Sequence, residues 1–177
     1  MSIVTVDESG FMLQPVVRRT WAQRGQTPIH YSWDRHDRLS AIAALVVAPR
    51  RRRVGLYFRL FRKNVTFLDF MAFLILLHLH LRRKFILIMD RWSVHRKAVR
   101  WLQAAGIEWF EVEWLPGYAP DLNPVEMIWN HTKYGDLANF IPEDIDHLKE
   151  EVENSLALTR KMHALKKAFF AHSGLQL

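Results

Sequence analysis

Residues 85–90 read Phe-Ile-Leu-Ile-Met-Asp, a short apolar run closed by a carboxylate. The run has the length of a strand, and the sequence on either side of it has the period of a helix. Before it, Phe67–Leu81 is a long apolar stretch, opened by Thr66 with Asp69 three residues later in the manner of a capping box. After it, Val94–Ala105 (VHRKAVRWLQAA) is amphipathic and is stopped by Gly106, a frequent residue just past a helix end. A strand entered from one helix and left through another implies parallel pairing, because parallel neighbours need a crossover connection.

Working outward, the first half of the chain reads as β. Ser2–Val6 is a strand, and Leu39–Ala48 (LSAIAALVVA) is a near-continuous apolar run of the kind found in strands covered on both faces. Arg53–Phe61 (RVGLYFRLF) alternates only in part, as a strand nearer the sheet edge does. Pro49 and Arg50–Arg53 between these two form an exposed, charged hairpin turn. Downstream, Ile107–Trp114 is a strand in which Glu108, Glu111 and Glu113 alternate with apolar positions. Pro124–Tyr134 is a helix, and residues 143 to about 173 are mostly helical. The order βββαβαβα, followed by helix, predicts an α/β domain with a mixed sheet and helices on both faces. At 177 residues, with no repeat, low-complexity tract or linker, residues 1–177 are expected to be one domain.

Half of the residues are hydrophobic, enough for a core that buries about 70% of the unfolded chain's surface. A net charge of +7 points to an anionic partner, nucleic acid first and an acidic membrane second. Cysteine is absent, which excludes disulfides and thiolate zinc sites and fits a reducing cytosol. No basic segment followed by an apolar one opens the chain. Phe67–Leu81 contains Asp69, His78 and His80 and is shorter than the roughly 18 apolar residues of a membrane span, so it is expected to be a buried core helix. A cytoplasmic protein with no membrane association is the expectation.

Three acids stand at positions suited to a metal site. Asp7 follows the first strand, Asp90 ends the fourth, and Glu126 lies in the first turn of the helix that begins at Pro124. Each has an ordinary explanation taken singly. Asp7, beside Glu8, suits a turn; Asp90 suits a cap for the next helix; and Asn123, Pro124 and Glu126 together look like a capping box. Acids at the ends of two buried strands and in the first turn of a helix can also converge on one point. Two divalent cations held there would activate an attacking oxygen and stabilise a leaving one at phosphorus.

The surrounding sequence carries a specific resemblance. Leu115–Trp129, LPGYAPDLNPVEMIW, resembles nearly residue by residue the signature L-P-x-Y-S-P-[DE]-L-N-P-I-E-x-x-W of the DDE transposases of the mariner-like superfamily, in their bacterial insertion-sequence branch. Phe85–His95 (FILIMDRWSVH) resembles the family's second-aspartate block, and Val6–Phe11 (VDESGF) its first. Residues 19–28 (RTWAQRGQTP) are similar to the segment R-x-W-x-x-x-G that follows the first aspartate. The 35 residues between Asp90 and Glu126 are similar to the family's spacing. The resemblance covers about residues 3 to 140.

It implies a ribonuclease H-like fold, with the first strand central beside the fourth so that Asp7 and Asp90 are neighbours. It also implies that Asp7, Asp90 and Glu126 are catalytic and ligate two Mg²⁺ ions, with Mn²⁺ as a substitute. The activity implied is cut-and-paste DNA transposition. The partners it implies are double-stranded DNA (element ends and a TA-containing target) and a second copy of the chain on that DNA. Arg18, Arg19 and Arg24, interleaved with Trp21, resemble a DNA-contacting loop, with a plain solvated loop as the alternative. His95, one turn into the helix after Asp90, is placed to touch DNA or to orient a ligand, with a surface or cap histidine as the alternative. His78 and His80 read as structural, and Trp101 and Trp129 as core.

Two departures stand out. The family usually has Asn after the second aspartate, where this chain has Arg91 and Trp92. A base there competes with a metal ion unless it points away or onto DNA phosphate. Family members also carry helix-turn-helix modules ahead of the catalytic domain, and Met1 lies six residues before Asp7. Two readings stay open: the downstream frame of a two-frame element, with a separately encoded helix-turn-helix frame as partner, or a decayed remnant. Two other functions fit the same residues: another ribonuclease H-like nuclease, and an impaired transposase remnant that binds DNA or dimerises.

Overall fold

The computed structural model of the protein describes residues 1–29, 31, 37–50, 53–117 and 119–174. Arg51 and Arg52 of the arginine turn and Tyr118 of the Leu115–Trp129 segment lie outside the described residues. Five strands, β1 (Ser2–Met12), β2 (Arg38–Val47), β3 (Val54–Phe61), β4 (Phe85–Met89) and β5 (Phe110–Trp114), form one sheet in the order β3-β2-β1-β4-β5. The first three make antiparallel hairpin pairs. β4 lies parallel to β1 and β5 parallel to β4, each reached through a helix: α1 (Phe67–Leu81) and α2 (Ser93–Ala104). This is the mixed ribonuclease H-like sheet, with β1 central beside β4.

Burial follows from the period-2 pattern. From Leu39 to Val47 every residue of β2 is buried. Its odd positions pack with α3 (Pro124–His131), α4 (Ile145–Lys161) and α5 (His163–His172) on one face. Ile42, Ala44 and Val46 pack under α1 and α2 on the other. Each fully buried aliphatic side chain contributes about 1.5–3 kcal/mol, so this strand holds the two layers together.

α1 has the expected bounds because its ends are chemically marked. Thr66 accepts from the Asp69 backbone N–H at 3.3 Å, and Asp69 accepts from the Thr66 N–H at 3.0 Å. Arg82, at φ 52°, stops the helix. It is less buried than its composition suggested. Phe70, Phe73, Leu74 and Leu77 face the sheet, while Leu68, Leu76 and Leu79 are exposed. No described helix is long and apolar enough to cross a membrane.

Three local expectations are corrected. β1 does not stop at Val6: it runs through Asp7, Glu8 and Ser9 because β2 continues to pair with it as far as Met12. β5 begins at Phe110 rather than Ile107, since only residues 110–114 have a partner in β4. Trp101 is exposed, because α2 turns His95, Ala98, Val99 and Leu102 inward. The C-terminal segment is mostly helical as expected, in two helices that meet at Met162, whose ψ of 87° is not helical.

Candidate active site

Strand register brings the chain segments carrying Asp7 and Asp90 side by side. β1 and β4 pair from Ser2↔Phe85 to Thr5↔Ile88, and the same offset continued by two residues aligns Asp7 with Asp90. Alternation along β1 then sends Asp7 to the α3 face and Glu8 to the α2 face.

On the α3 side, Trp129 is buried and its indole Nε1–H donates to Asp7 Oδ2 at 2.9 Å. Burial, then the charges of Glu126 and Glu8, hold the Asp7 carboxyl well above its ordinary pKa; the Trp129 hydrogen bond offsets part of this. Asn123 caps α3 by accepting from the Val125 N–H at 3.2 Å, and its Nδ2 donates to the Val6 carbonyl at 3.2 Å. The first turn of α3 is thereby tied to β1 one residue before Asp7. The capping box expected around Glu126 does not form, because the Asn123 backbone N–H is bonded to the Pro120 carbonyl at 2.9 Å. Glu126 is instead half-buried beside the other acids. Burial raises its pKa, Lys133 lowers it, Asp90 raises it, and a hydrogen bond with Asp7 lowers it; the net shift is upward.

On the α2 side, His95 is 1% exposed. Its Nδ1–H donates to Asp90 Oδ1 at 2.6 Å, and its Nε2–H to the two oxygens of Glu8 at 2.9 and 2.8 Å. The ring lies between Phe70 and Trp92, 4.5 and 5.5 Å away by centroid. Burial alone depresses the imidazole pKa, but the two carboxylates outweigh it and raise the value to about 10. His95 is therefore an imidazolium bridging two acids. Asp90 also accepts from the Trp92 N–H at 3.0 Å. The His95 hydrogen bond is the largest influence on Asp90; with the Trp92 bond it overcomes burial and holds that carboxyl below its ordinary pKa. Glu8 is pushed up by burial and pulled part of the way back by His95.

Two members of this cluster escaped the sequence. Glu8 looked like an ordinary neighbour of Asp7, and only strand alternation aims it at His95. Lys133, seven residues and about two helical turns past Glu126, lies on the wide turn Thr132–Asp136 where α3 ends. Burial lowers its pKa, while Glu126 and Asp7 pull it up. Its ammonium stands 5.2 Å over the Phe11 ring.

The DNA-contacting candidates divide. His95 differs from the others: it is buried with both ring nitrogens bonded to carboxylates. Arg18, Arg19, Trp21 and Arg24 are exposed, and Trp21 completely so. The loop is anchored at its base, where the Arg18 N–H donates to Asn139 Oδ1 at 2.8 Å and its guanidinium to the Tyr134 carbonyl at 3.3 Å. That base rests on the turn carrying Lys133. Arg91 is exposed and lines an open cavity of about 590 Å³ with Arg96, Arg100 and Gln103 of α2.

All the donors here are carboxylate oxygens, the chemistry of a hard divalent cation. Glu126 and Glu8 raise the Asp7 pKa and Asp90 raises that of Glu126, the mark of negative charge short of a counter-ion. As the side chains stand, no three Asp, Glu or His among the described residues are gathered tightly enough to ligate one ion.

The sheet order, its flanking helices and this acid pair define a ribonuclease H-like α/β domain. Residues 2–149 match the model of the DDE superfamily endonucleases, and the chain belongs to that family. Among solved structures, the fold is similar to that of Mos1 transposase in a paired-end complex with the left transposon end (18% identity, TM-score 0.63, covering 97% of this chain and 54% of that one). It is likewise similar to the Mos1 mariner paired-end complex with Mn (17%, TM-score 0.65, 97% and 51%). The isolated catalytic domain of Mos1 mariner transposase is also similar (15%, TM-score 0.51, 99% and 83%). At these identities the likeness is one of fold, and the chain spans about half the length of the Mos1 chains in the complexes. Comparison with curated proteins gives no match.

Proposed function

We propose that this chain is a transposase catalytic domain that cuts and rejoins DNA strands, with Asp7, Asp90 and Glu126 as its metal-binding acids. The observation that carries this reading is the parallel β1–β4 register, which when extended two residues brings Asp7 level with Asp90 just past β4, with the Asn123–Val6 bond holding the first turn of α3 beside Asp7. Mos1 complexes with Mn and with Mg, and a Mos1 strand-transfer complex, support divalent-metal chemistry on paired DNA ends. The substrates would be double-stranded element ends and a TA-containing target, handled by two copies of the chain.

Asp7, Asp90 and Glu126 would hold Mg²⁺, two ions by resemblance, or Mn²⁺ in its place. Bound cations supply Lewis acidity at phosphorus and at the entering and leaving oxygens. The chain's own residues do the aiming. Trp129 fixes one Asp7 oxygen. His95 and the Trp92 N–H both take Asp90 Oδ1, leaving Oδ2 for a ligand. Glu8 holds the far side of His95 and so acts on Asp90 through it. As a stable imidazolium, His95 orients and neutralises rather than accepting a proton. Lys133 supplies a positive charge beside Asp7 and Glu126 that a DNA phosphate can share, and the Arg18–Arg24 loop can track the backbone with Trp21 for stacking.

Supercoiled-plasmid nicking is the test. The wild-type protein with Mg²⁺ or Mn²⁺ should nick DNA and Asp90→Ala should not, although it folds normally. Equal residual nicking by both proteins overturns the reading.

A further inference from the structure

The end of the sheet opposite the acids carries a second charged site. An open cavity of about 570 Å³ lies where β1 begins, β2 ends and β3 starts, with the first turn of α5 on one side. Ser2 lines it, five strand residues from Asp7, so at about 3.3 Å per residue the cavity lies on the order of 17 Å from the acids. Its cationic lining is Arg53, Arg83, Arg160 and Lys166, with His80 and His163 beside them, and no acid among the described residues lines it.

Lys166 is the informative member. It is 2% exposed, although lysine is almost never buried unless paired. Its ammonium donates to the Arg160 carbonyl at the end of α4, and no carboxylate among the described residues pairs with it. Capping α4 uses one of three N–H donors and accounts for one only. Burial first, and then the nearby Arg160 charge, push its pKa below the ordinary lysine value, so the site is short of negative charge. α5 starts at His163 without a side-chain cap, which leaves the positive end of a ten-residue helix at the same place. Exposed Arg53, Arg83 and Arg160 stand around this floor with guanidinium forks that suit phosphate oxygens. Tyr57, edge-on to His80 at 5.0 Å, closes a wall with a hydroxyl donor.

We infer that this cavity is a phosphate-binding site remote from the acid cluster, built from Lys166 at its floor and Arg53, Arg83 and Arg160 at its mouth. The ligand is a phosphoryl group, carried by a nucleic-acid strand or by a small polyphosphate. Nothing in the inference depends on the acids being catalytic.

The full chain is melted in chelator, with inorganic tripolyphosphate as probe and sodium chloride of matched ionic strength as control. Saturating tripolyphosphate should raise the Tm of the wild type by roughly 5 °C. Asp90→Asn should keep that rise, which separates this site from the acids. Lys166→Met should lose it. Because Lys166→Met alters a buried position, Arg83→Gln with Arg160→Gln provides an exposed pair of changes, which should lose the rise without lowering the Tm of the free protein. Binding of a short DNA duplex by anisotropy identifies the source. If the double variant binds duplex about tenfold more weakly than wild type, the phosphoryl group belongs to a nucleic-acid strand. If only the tripolyphosphate response is lost, it belongs to a small ligand. Equal tripolyphosphate and duplex responses in the wild type and the double variant overturn the inference.

Discussion

His95 joins two acids from different strands through one buried ring, and its substitution separates geometry from charge. His95→Ala removes both hydrogen bonds and leaves Glu8 buried without its partner. Residues that orient a metal ligand typically change metal affinity or activity 10–100-fold, so nicking should fall by roughly that factor, with a higher Mg²⁺ concentration needed for half-maximal rate. Glu8→Gln keeps an acceptor for Nε2 while removing one charge, and should cost less, about tenfold or below. A metal titration of initial nicking rates checks both variants. Unchanged half-maximal Mg²⁺ in His95→Ala would remove the orienting role. The same residue marks how far the sequence could be read. The spacing of His95 from Asp90 drew notice to it, but its neighbours decide its function. Glu8 is 87 positions away, and only the pleat of β1 aims it at the ring.

Among the elements, α1 and β1 contrast. α1 was legible at both ends because the Thr66–Asp69 box is local chemistry. Burial pushes the Asp69 carboxyl up, but hydrogen bonds from Lys63 and Thr66 outweigh it and hold the pKa below its ordinary value. A carboxyl lowered on folding stabilises above the ordinary range near about 4 and loses that contribution as pH falls through the folded value. Thr66→Ala should cost about 1 kcal/mol at neutral pH, seen as a Tm lower by about 2–4 °C. Part of that difference comes from ionised Asp69, so melts of the two proteins should draw together below about pH 4. β1 was misjudged at its C-terminal end for the opposite reason. Asp7, Glu8 and Ser9 break the apolar pattern, yet the strand continues because β2 supplies partners ten residues deep. The break at Met162 was likewise unreadable, since no Gly or Pro marks it; the return of α5 against α3 and β3 is a tertiary choice.

At the scale of the whole molecule, the acid cluster costs stability. Asp7 is a largely buried carboxyl beside two other acids, its hydrogen bonds from the Trp129 indole and the Glu8 backbone only partly offsetting burial, and burying charge without full pairing is unfavourable. Asp7→Asn retains an acceptor for Trp129 and removes the charge. In chelator at neutral pH its Tm should therefore exceed that of the wild type by a few degrees, while nicking is lost. A metal-free Tm at or below the wild-type value would mean that the Asp7 charge is already compensated. Excess Mg²⁺ should raise the wild-type Tm and leave Asp7→Asn nearly unmoved.

The sequence by itself determined the element order, the mixed sheet and the three acids with their motif, because apolar period, caps and turn residues are local and survive without a partner. It also singled out His95 and the Arg18–Arg24 loop, without their surroundings. Tertiary structure alone decided which face each acid takes. It aligned Asp7 with Asp90 through β1–β4 register and turned Glu8 towards His95. It brought Lys133 to Glu126, and it buried Lys166 beneath a ring of arginines. Those relations depend on pairing and packing between residues far apart in the chain, and no local pattern encodes them.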